Sequence, residues 1–222
     1  MEKIFVVIPA FNEEKVIAKV IKNIQAAGFS NIIVVDDGSS DQTFAQINCL
    51  KNVIALKHFI NRGKGAAVKT GIEAAKLLGA QTVITMDGDG QHNPQDAQKM
   101  LTYLKKYDVV LGSRLQSPKG MPWHKILANY IGNFFVWLVY GLWVTDSQSG
   151  FRAYNSKALQ LIQTKTDRYE YDSEIIREIK RNNLLYIEIP IEVIYTTYSQ
   201  SKIQKQGFKN GIKTLVKIFL SE

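Results

Sequence analysis

Two carboxylates stand at the end of a short apolar run near the middle of the chain. Residues 83–94 read VITMDGDGQHNP, so one glycine separates Asp87 from Asp89 and Gln91 follows two residues later. The apolar run is typical of a buried strand, and open α/β sheets bind ligands just beyond the carboxyl ends of their strands. Oxygen ligands of this kind suit Mg²⁺ or Mn²⁺, which complete their coordination with water and substrate phosphates. The segment therefore predicts a metal site at these three residues that holds a nucleotide diphosphate, with an ordinary acidic turn as the alternative.

Two further polar segments indicate nucleotide and phosphate binding. Asp36 and Asp37 begin the segment DDGSSDQT directly after an apolar run, and a carboxylate there can accept hydrogen bonds from a base or a ribose hydroxyl. A helix-capping loop explains the same residues equally well. Residues 61–66, NRGKGA, place Lys64 and the backbone N–H groups of two glycines before a helical pattern, where a phosphate can bind.

Short apolar runs alternate with helical patterns in the first half of the chain. The apolar runs are residues 4–8, 32–35, 53–56, 83–86 and 109–111, and the helical patterns lie at about 14–40, 64–79 and 95–106. This alternation predicts an α/β fold, a mostly parallel sheet flanked by helices in a single domain. Right-handed crossovers would place the strand ends at one edge and bring the three polar segments together with residues 9–13. Beyond residue 112 we expect helices in 126–145 and near 172–182 and a strand in IEIPIEVIY.

Composition limits the class of protein. The 222 residues, 45% of them hydrophobic, suffice for one α/β core. The net charge of +8 attracts anions, which include phosphorylated substrates and anionic membranes. Nucleic acid is not an expected partner, because no aromatic and basic ladder or helix-turn-helix pattern accompanies the charge. The N-terminus has no signal-peptide pattern and Cys49 is the single cysteine, so we expect a cytoplasmic protein without internal disulfides.

Six segments together resemble a known family. They are PAFNE at 9–13, VVDDGSSDQT at 34–43, RGKGAA at 62–67, MDGDGQHNP at 86–94, GSR at 112–114 and DSQSGFR at 146–152. Their order and spacing resemble those of family 2 glycosyltransferases, which have the Rossmann-like GT-A fold. Within that family the chain is most similar to dolichyl- and polyprenyl-phosphate mannosyl- and glucosyltransferases. The resemblance implies a metal-dependent inverting enzyme that moves a hexose from a nucleotide-diphosphate sugar, of GDP-mannose or UDP-glucose type, onto a polyprenyl or dolichyl phosphate.

The resemblance also implies roles for individual residues. The metal would be bound by Asp87, Asp89 and Gln91, and Asp89 and Arg114 would be catalytic residues. The nucleotide pocket would be lined by Pro9, Phe11, Glu13 and Asp36, to which the segments above add Asp37, Lys64 and Asp87. A lipid phosphate is mostly a dianion at neutral pH and can attack without a general base. The acceptor phosphate would then be held by Arg114, Lys125, Asn129, Arg152 and Lys202.

The chain departs from the mannosyltransferase pattern at two places. Those relatives often have an arginine and, four residues later, a serine where this chain has Lys125 and Asn129. An arginine expected just before Ser201 and Lys202 is also missing. These differences weaken the assignment to mannose or dolichol, while the nucleotide half of the pattern is intact.

Two other functions remain open at this stage. A related enzyme would glycosylate a saccharide or protein hydroxyl, and Asp146 would then be its catalytic base. A non-catalytic module would bind a nucleotide sugar or lipid without turnover. Tyr171, Asp172 and Glu174 lie at a predicted helix start, where helix capping or loop pairing explains them.

Membrane contact is predicted at two segments. Residues 126–145 carry no charge and are long enough to score as a transmembrane candidate, but Asn129, Asn133 and Tyr140 form a polar stripe that favours an interfacial helix. In residues 204–222 lysines recur every four positions, which predicts a basic amphipathic helix after a GT-A domain at 1–203. We therefore expect a peripheral protein on the cytosolic membrane face, with a membrane-anchoring partner protein as a further option.

Overall fold

The computed structural model describes residues 2–118, 121–168 and 170–194, and seven strands in it form one sheet in the order β3-β2-β1-β4-β6-β5-β7. The strands are β1 Ile4–Ala10, β2 Ile32–Asp36, β3 Val53–Lys57, β4 Thr82–Thr85, β5 Val109–Ser113, β6 Arg152–Asn155 and β7 Tyr186–Pro190. The helices are α1 Ile17–Ala26, α2 Thr43–Asn48, α3 Lys64–Leu77, α4 Pro94–Leu104, α5 Trp123–Tyr140, α6 Ser156–Leu161 and α7 Glu170–Arg181.

The central strands are apolar on both faces because helices cover the sheet from both sides. Side chains alternate along β1, so Val7 packs into one buried cluster with α3 and α7, while Ile8 packs into the other with α1 and α4. Strands buried in this way read as continuous apolar runs, as the sequence does. The predicted α/β fold, with a mostly parallel sheet between helices, is confirmed.

Strand β6 is the exception, since it runs antiparallel to both β4 and β5. Its first residue, Arg152, is paired with Thr85 at the end of β4 and with Leu111 near the end of β5. The segment that precedes β6 therefore lies at the edge of the sheet where β4 and β5 end. This reversal brings the DSQSGFR segment to the same edge as Asp87.

Several predicted bounds need correction. The helical pattern at 14–40 is wrong in extent, because α1 ends at Ala26 and Gly28 adopts a left-handed φ of 94° before β2 begins. The helix expected in 126–145 is α5, which begins at Trp123 and ends before Gly141, a left-handed residue with a φ of 67°.

Over the ranges that the structure describes, no helix combines the length and hydropathy needed to cross a bilayer. Lys202 and the helix predicted at 204–222 lie outside those ranges.

Candidate active site

The segments that follow two neighbouring strands, β1 and β2, are held together at the carboxyl edge of the sheet. After β1, the backbone N–H of Asn12 donates to Ser39 Oγ at 2.9 Å and that of Glu13 donates to Thr43 Oγ1 at 2.7 Å. After β2, the N–H of Asp37 donates to the carbonyl of Ala10 at 2.8 Å. The predicted convergence of residues 9–13 with the DDGSSDQT segment is therefore observed, and it places Phe11 and Asp36 at one edge.

Asp36 has an unsatisfied oxygen at this edge. Its side chain is fully buried, and Oδ1 accepts a hydrogen bond from the N–H of Ser39 at 3.1 Å. Oδ2 is buried and has no hydrogen-bond partner among the described residues. A buried carboxylate oxygen without a partner is costly unless a ligand supplies a donor. Phe11, in the neighbouring loop, is 43% exposed and offers an aromatic face.

Asp37 has a structural set of contacts. Its Oδ1 lies 2.7 Å from His58 Nδ1 and accepts from the N–H of Arg62 at 3.0 Å, while Oδ2 accepts from the N–H of Gly63 at 2.7 Å. These contacts fix the loop that leads into α3 and thereby place Lys64. A direct contact of Asp37 with the nucleotide stays a prediction.

Asp87 and Lys64 form an ion pair that Asp172 and His92 also contact. Lys64 Nζ lies 2.8 Å from Asp87 Oδ1 and 3.3 Å from Asp172 Oδ2, and His92 Nε2 lies 3.1 Å from Asp87 Oδ2. Burial would raise the pKa of Asp87, but the Lys64 ammonium and the His92 hydrogen bond hold that pKa well below its usual range. Burial would lower the pKa of Lys64, but the Asp172 and Asp87 carboxylates raise it.

Asp89 is electrostatically different from Asp87. Its Oδ1 accepts a hydrogen bond from the N–H of Gln91 at 3.0 Å, and its pKa is raised by burial and by the neighbouring Asp87 carboxylate. Two carboxylates that repel each other in a partly desolvated place are stabilised together by a cation. This pair therefore fits a hard divalent ion.

The protein itself offers only part of a metal coordination shell here. Within the described ranges, no group of three or more His, Cys, Asp or Glu side chains is arranged to hold a metal ion. Mg²⁺ and Mn²⁺ are commonly held by one or two carboxylates together with water and substrate phosphates. The donor set of Asp87 and Asp89 fits that open kind of site and does not fit a closed site made of protein ligands alone.

Arg114, which follows β5, and Asp146, which precedes β6, form a bidentate ion pair, called here the Arg114–Asp146 fork. Arg114 Nε donates to Asp146 Oδ2 at 2.7 Å and Nη2 donates to Oδ1 at 2.8 Å, and the Arg114 backbone N–H donates to Oδ2 at 3.0 Å. Asp146 is buried, whereas the Arg114 side chain remains 24% exposed. Burial would raise the pKa of Asp146, but Arg114 lowers it. Both carboxylate oxygens of Asp146 are therefore occupied by one guanidinium.

Comparison with known proteins identifies the family. Residues 5–163 match the sequence model for Glycosyl transferase family 2, which is more than half of the chain. The chain belongs to this family. The glycosyltransferase is 40% identical to the UDP-N-acetylglucosamine–dolichyl-phosphate N-acetylglucosaminyltransferase of Methanococcus voltae, over 90% of this chain and 88% of that one. It is 26% identical to the polyprenol monophosphomannose synthase of Mycolicibacterium smegmatis, over 94% and 85% of the two chains.

A solved structure supports the fold of the glycosyltransferase. Glucosyl-3-phosphoglycerate synthase from Mycobacterium tuberculosis, crystallised with Mn²⁺, UDP and phosphoglyceric acid, superimposes with a TM-score of 0.70 at 18% sequence identity. The match covers 98% of this chain and 78% of the other. The predicted GT-A fold is confirmed.

The remaining residues predicted to bind the acceptor phosphate differ in their surroundings. Lys125 lies at the start of α5, and its pKa is lowered by burial and by the positive charge of Arg114, so these two cations face a common region. Asn129 donates to the Lys125 carbonyl at 2.8 Å. Arg152 is buried and donates to the carbonyls of Ser149 and Ser147, both at 2.8 Å, so its described contacts fix the DSQSGFR segment. Its contact with a phosphate stays a prediction.

Three polar residues, two of them buried and Glu188 partly buried, support the glycosyltransferase site without having been predicted as site residues. Glu188 on β7 accepts hydrogen bonds from the Thr145 and Asp146 backbones. Asn133 on α5 accepts from the backbone and the hydroxyl of Ser147, and Asp172 contacts Lys64. The signals available for the first two residues were a lone charge in an apolar strand and, in an apolar helix, an amide four residues after Asn129.

Proposed function

We propose that this glycosyltransferase transfers a sugar from a nucleoside-diphosphate sugar onto the phosphate of a polyprenyl lipid. The observation that carries the proposal is the Arg114–Asp146 fork. Asp146 was the candidate base for a hydroxyl acceptor, yet both of its oxygens accept hydrogen bonds from Arg114 and its pKa is lowered. An acceptor that already carries negative charge needs placement by cations and no proton removal. The names of the Methanococcus and Mycolicibacterium relatives support the same acceptor class.

On the donor side, the residues after β1, β2 and β4 would bind the nucleotide. The unsatisfied Asp36 Oδ2 would accept a hydrogen bond from the ribose or the base, and Phe11 would pack against the base. Asp87 and Asp89 would hold Mg²⁺ or Mn²⁺, which supplies Lewis acidity that neutralises charge on the departing diphosphate. Lys64, at the N-terminus of α3, would add a cation and the helix dipole to the same phosphates.

On the acceptor side, Arg114 and Lys125 would hold the lipid phosphate. Asp146 fixes the Arg114 guanidinium in one plane, and Glu188 and Asn133 fix the loop that carries Asp146. The rotamer of a guanidinium held in this way is already ordered, which would reduce the entropic cost of binding a phosphate. Catalysis would then come from placement and from charge neutralisation.

The identity of the donor sugar is a separate part of the proposal. The Methanococcus relative is named for UDP-N-acetylglucosamine, so this is the first donor to test. GDP-mannose and UDP-glucose are the alternatives predicted from the sequence motifs. Lys125 and Asn129 depart from the mannosyltransferase pattern, and this difference weakens the assignment to mannose.

The lipid chain would lie along α5 at the cytosolic membrane face. Beyond Lys125, six large apolar or aromatic side chains on this helix are at least two-fifths exposed: Leu127, Tyr130, Ile131, Phe134, Trp137 and Leu138. They follow Lys125 along the helix, so an acceptor phosphate held there would place its polyprenyl chain beside apolar side chains. Exposed apolar helix surface next to a cationic site is suited to the interfacial layer of a membrane.

The experiment is transfer of radiolabel from UDP-N-acetylglucosamine, UDP-glucose and GDP-mannose into organic-extractable lipid, with Mn²⁺ or Mg²⁺ and polyprenyl phosphate in membranes. We expect label in the lipid phase from one donor and its loss in Asp89→Ala. Metal-dependent transfer to a water-soluble saccharide, without label in lipid, would instead assign a hydroxyl acceptor. Full transfer by Asp89→Ala would remove the proposed metal site.

A further inference from the structure

Lys64 is shared by two carboxylates that come from different parts of the fold. Its Nζ lies 2.8 Å from Asp87 Oδ1, at the end of β4, and 3.3 Å from Asp172 Oδ2, in the first turn of α7. Asp172 is buried and lies 108 positions after Lys64 in the sequence. The arrangement links α7 to the donor side of the site through a single ammonium group.

In this arrangement Lys64 occupies the oxygen that a metal ion would need. Asp87 Oδ1 is paired with Lys64, and Asp87 Oδ2 is hydrogen-bonded to His92. A divalent ion bound at Asp87 would lie close to the ammonium, and two cations at such a distance repel each other strongly in a desolvated place. A Lys64 ammonium that stays at Asp87 Oδ1 would therefore weaken binding of the ion.

Gly150 restricts where Lys64 can go. A Cβ at this position would overlap Lys64 Nζ and would lie 2.7 Å from Asp87 Oδ1, so the DSQSGFR segment closes one side of the ion pair. Asp172 provides the other carboxylate in contact with Lys64. Its Oδ1 has no hydrogen-bond partner among the described residues, and its nearest cation besides Lys64 is Arg152, with Nη2 at 3.8 Å. Asp172 thus has spare acceptor capacity for a lysine that leaves Asp87.

We propose that Asp172 is a positioning residue that retains Lys64 when Asp87 binds the metal ion of the donor. The inference rests on the proposed donor site. Lys64 pivots from Asp87 toward Asp172 and stays within reach of the diphosphate, so its charge assists the donor without competing with the metal. In the absence of Asp172, Lys64 stays on Asp87 and opposes metal binding.

The test is a titration of the protein with Mn²⁺, in which electron paramagnetic resonance measures the free Mn²⁺. The titration is done first without UDP and then with UDP. The variants are Asp172→Asn, Lys64→Met and the double variant, and thermal unfolding checks that each is folded. Asp167→Asn is the matched control, because it removes a carboxylate from the neighbouring loop that pairs with Lys69 and Arg62 and not with Lys64.

We expect Lys64→Met to bind Mn²⁺ alone about tenfold more tightly and Asp172→Asn to bind it about tenfold more weakly. The double variant should match Lys64→Met within about threefold, because Asp172 acts through Lys64. If Asp172→Asn weakens Mn²⁺ binding equally in the wild type and in Lys64→Met, the charge of Asp172 acts on the ion directly and the inference is overturned. The inference is also overturned if Asp172→Asn weakens Mn²⁺ binding in neither. Failure of the wild type to bind Mn²⁺ even with UDP would instead overturn the proposed donor site.

Discussion

Replacement of Asp146 by asparagine separates two roles for this residue. Asparagine has the same shape, but it has one acceptor oxygen and presents an amide N–H₂ where the carboxylate presented its second oxygen. In the wild type three hydrogen bonds from Arg114 reach Asp146, from Nε, Nη2 and the backbone N–H. The variant can keep about half of this acceptor capacity, and its amide opposes a guanidinium N–H.

The magnitude follows from those contacts. A hydrogen bond to a charged group contributes roughly 1.5–3 kcal/mol, and breaking a buried ion pair costs roughly 3–5 kcal/mol. Because the Arg114 side chain is 24% exposed and can be rehydrated, we place the loss of unfolding free energy at the lower end, about 3 kcal/mol. Asp167→Asn, in which the carboxylate is 41% exposed, should lose less than about 1 kcal/mol.

The main kinetic effect of Asp146→Asn should be a higher KM for the acceptor. A misplaced Arg114 loses one charge-assisted contact with the phosphate, so the acceptor KM of Asp146→Asn should rise about tenfold or more while the donor KM changes less than about threefold. Arg114→Lys, which keeps the charge and loses the fork, should share this pattern. Urea unfolding and steady-state kinetics with each substrate varied measure both effects. A fall in kcat of about a hundredfold or more, with unchanged acceptor KM, would show that Asp146 removes a proton and would refute the reasoning.

Three further predictions concern other parts of the molecule. Asp36→Asn keeps the acceptor for Ser39 and removes a buried charge, so UDP or GDP affinity should fall about tenfold without loss of stability; calorimetric titration and urea unfolding measure this, and unchanged affinity would exclude Asp36 from the nucleotide pocket. Leu127→Glu, on the exposed face of α5, should reduce co-sedimentation with anionic vesicles at unchanged thermal stability, and equal binding would exclude this face from membrane contact. Because the folded-state pKa of Asp146 is lowered, its stabilising effect should be complete above the usual value of about 3.9 and lost as pH falls through the lowered pKa; the difference in unfolding free energy between wild type and Asp146→Asn should therefore shrink below about pH 4, and a constant difference would contradict this.

The donor half of the site could be predicted from the sequence because its residues follow the strands directly. In a parallel sheet, position after a strand is enough to place a side chain at the carboxyl edge, and the segments after β1, β2 and β4 all lie there. The roles of single residues were harder to predict. Asp37 looked equivalent to Asp36, yet its oxygens hold the loop before α3 while Asp36 keeps a buried oxygen without a partner.

The acceptor half depends on an element whose direction the apolar pattern did not indicate. The alternation of strands and helices ends near residue 112, and nothing in the spacing shows that β6 runs antiparallel. That direction buries Arg152 at the sheet edge, where it donates to loop carbonyls, although a surface arginine is the usual expectation. Likewise, Glu188 and Asp172 become site residues only through contacts with residues 43 and 108 positions away.

The central claim is that the acceptor is a phosphate and needs no general base. The most direct measurement compares polyprenyl phosphate with the free polyprenol of the same chain length as acceptors, using the labelled donor that the transfer experiment selects. We predict transfer to the phosphate alone, with a rate that rises with pH as the acceptor phosphate loses its second proton near pH 6. Transfer to the free alcohol at a comparable rate would contradict the account and would require a base that accepts the alcohol proton.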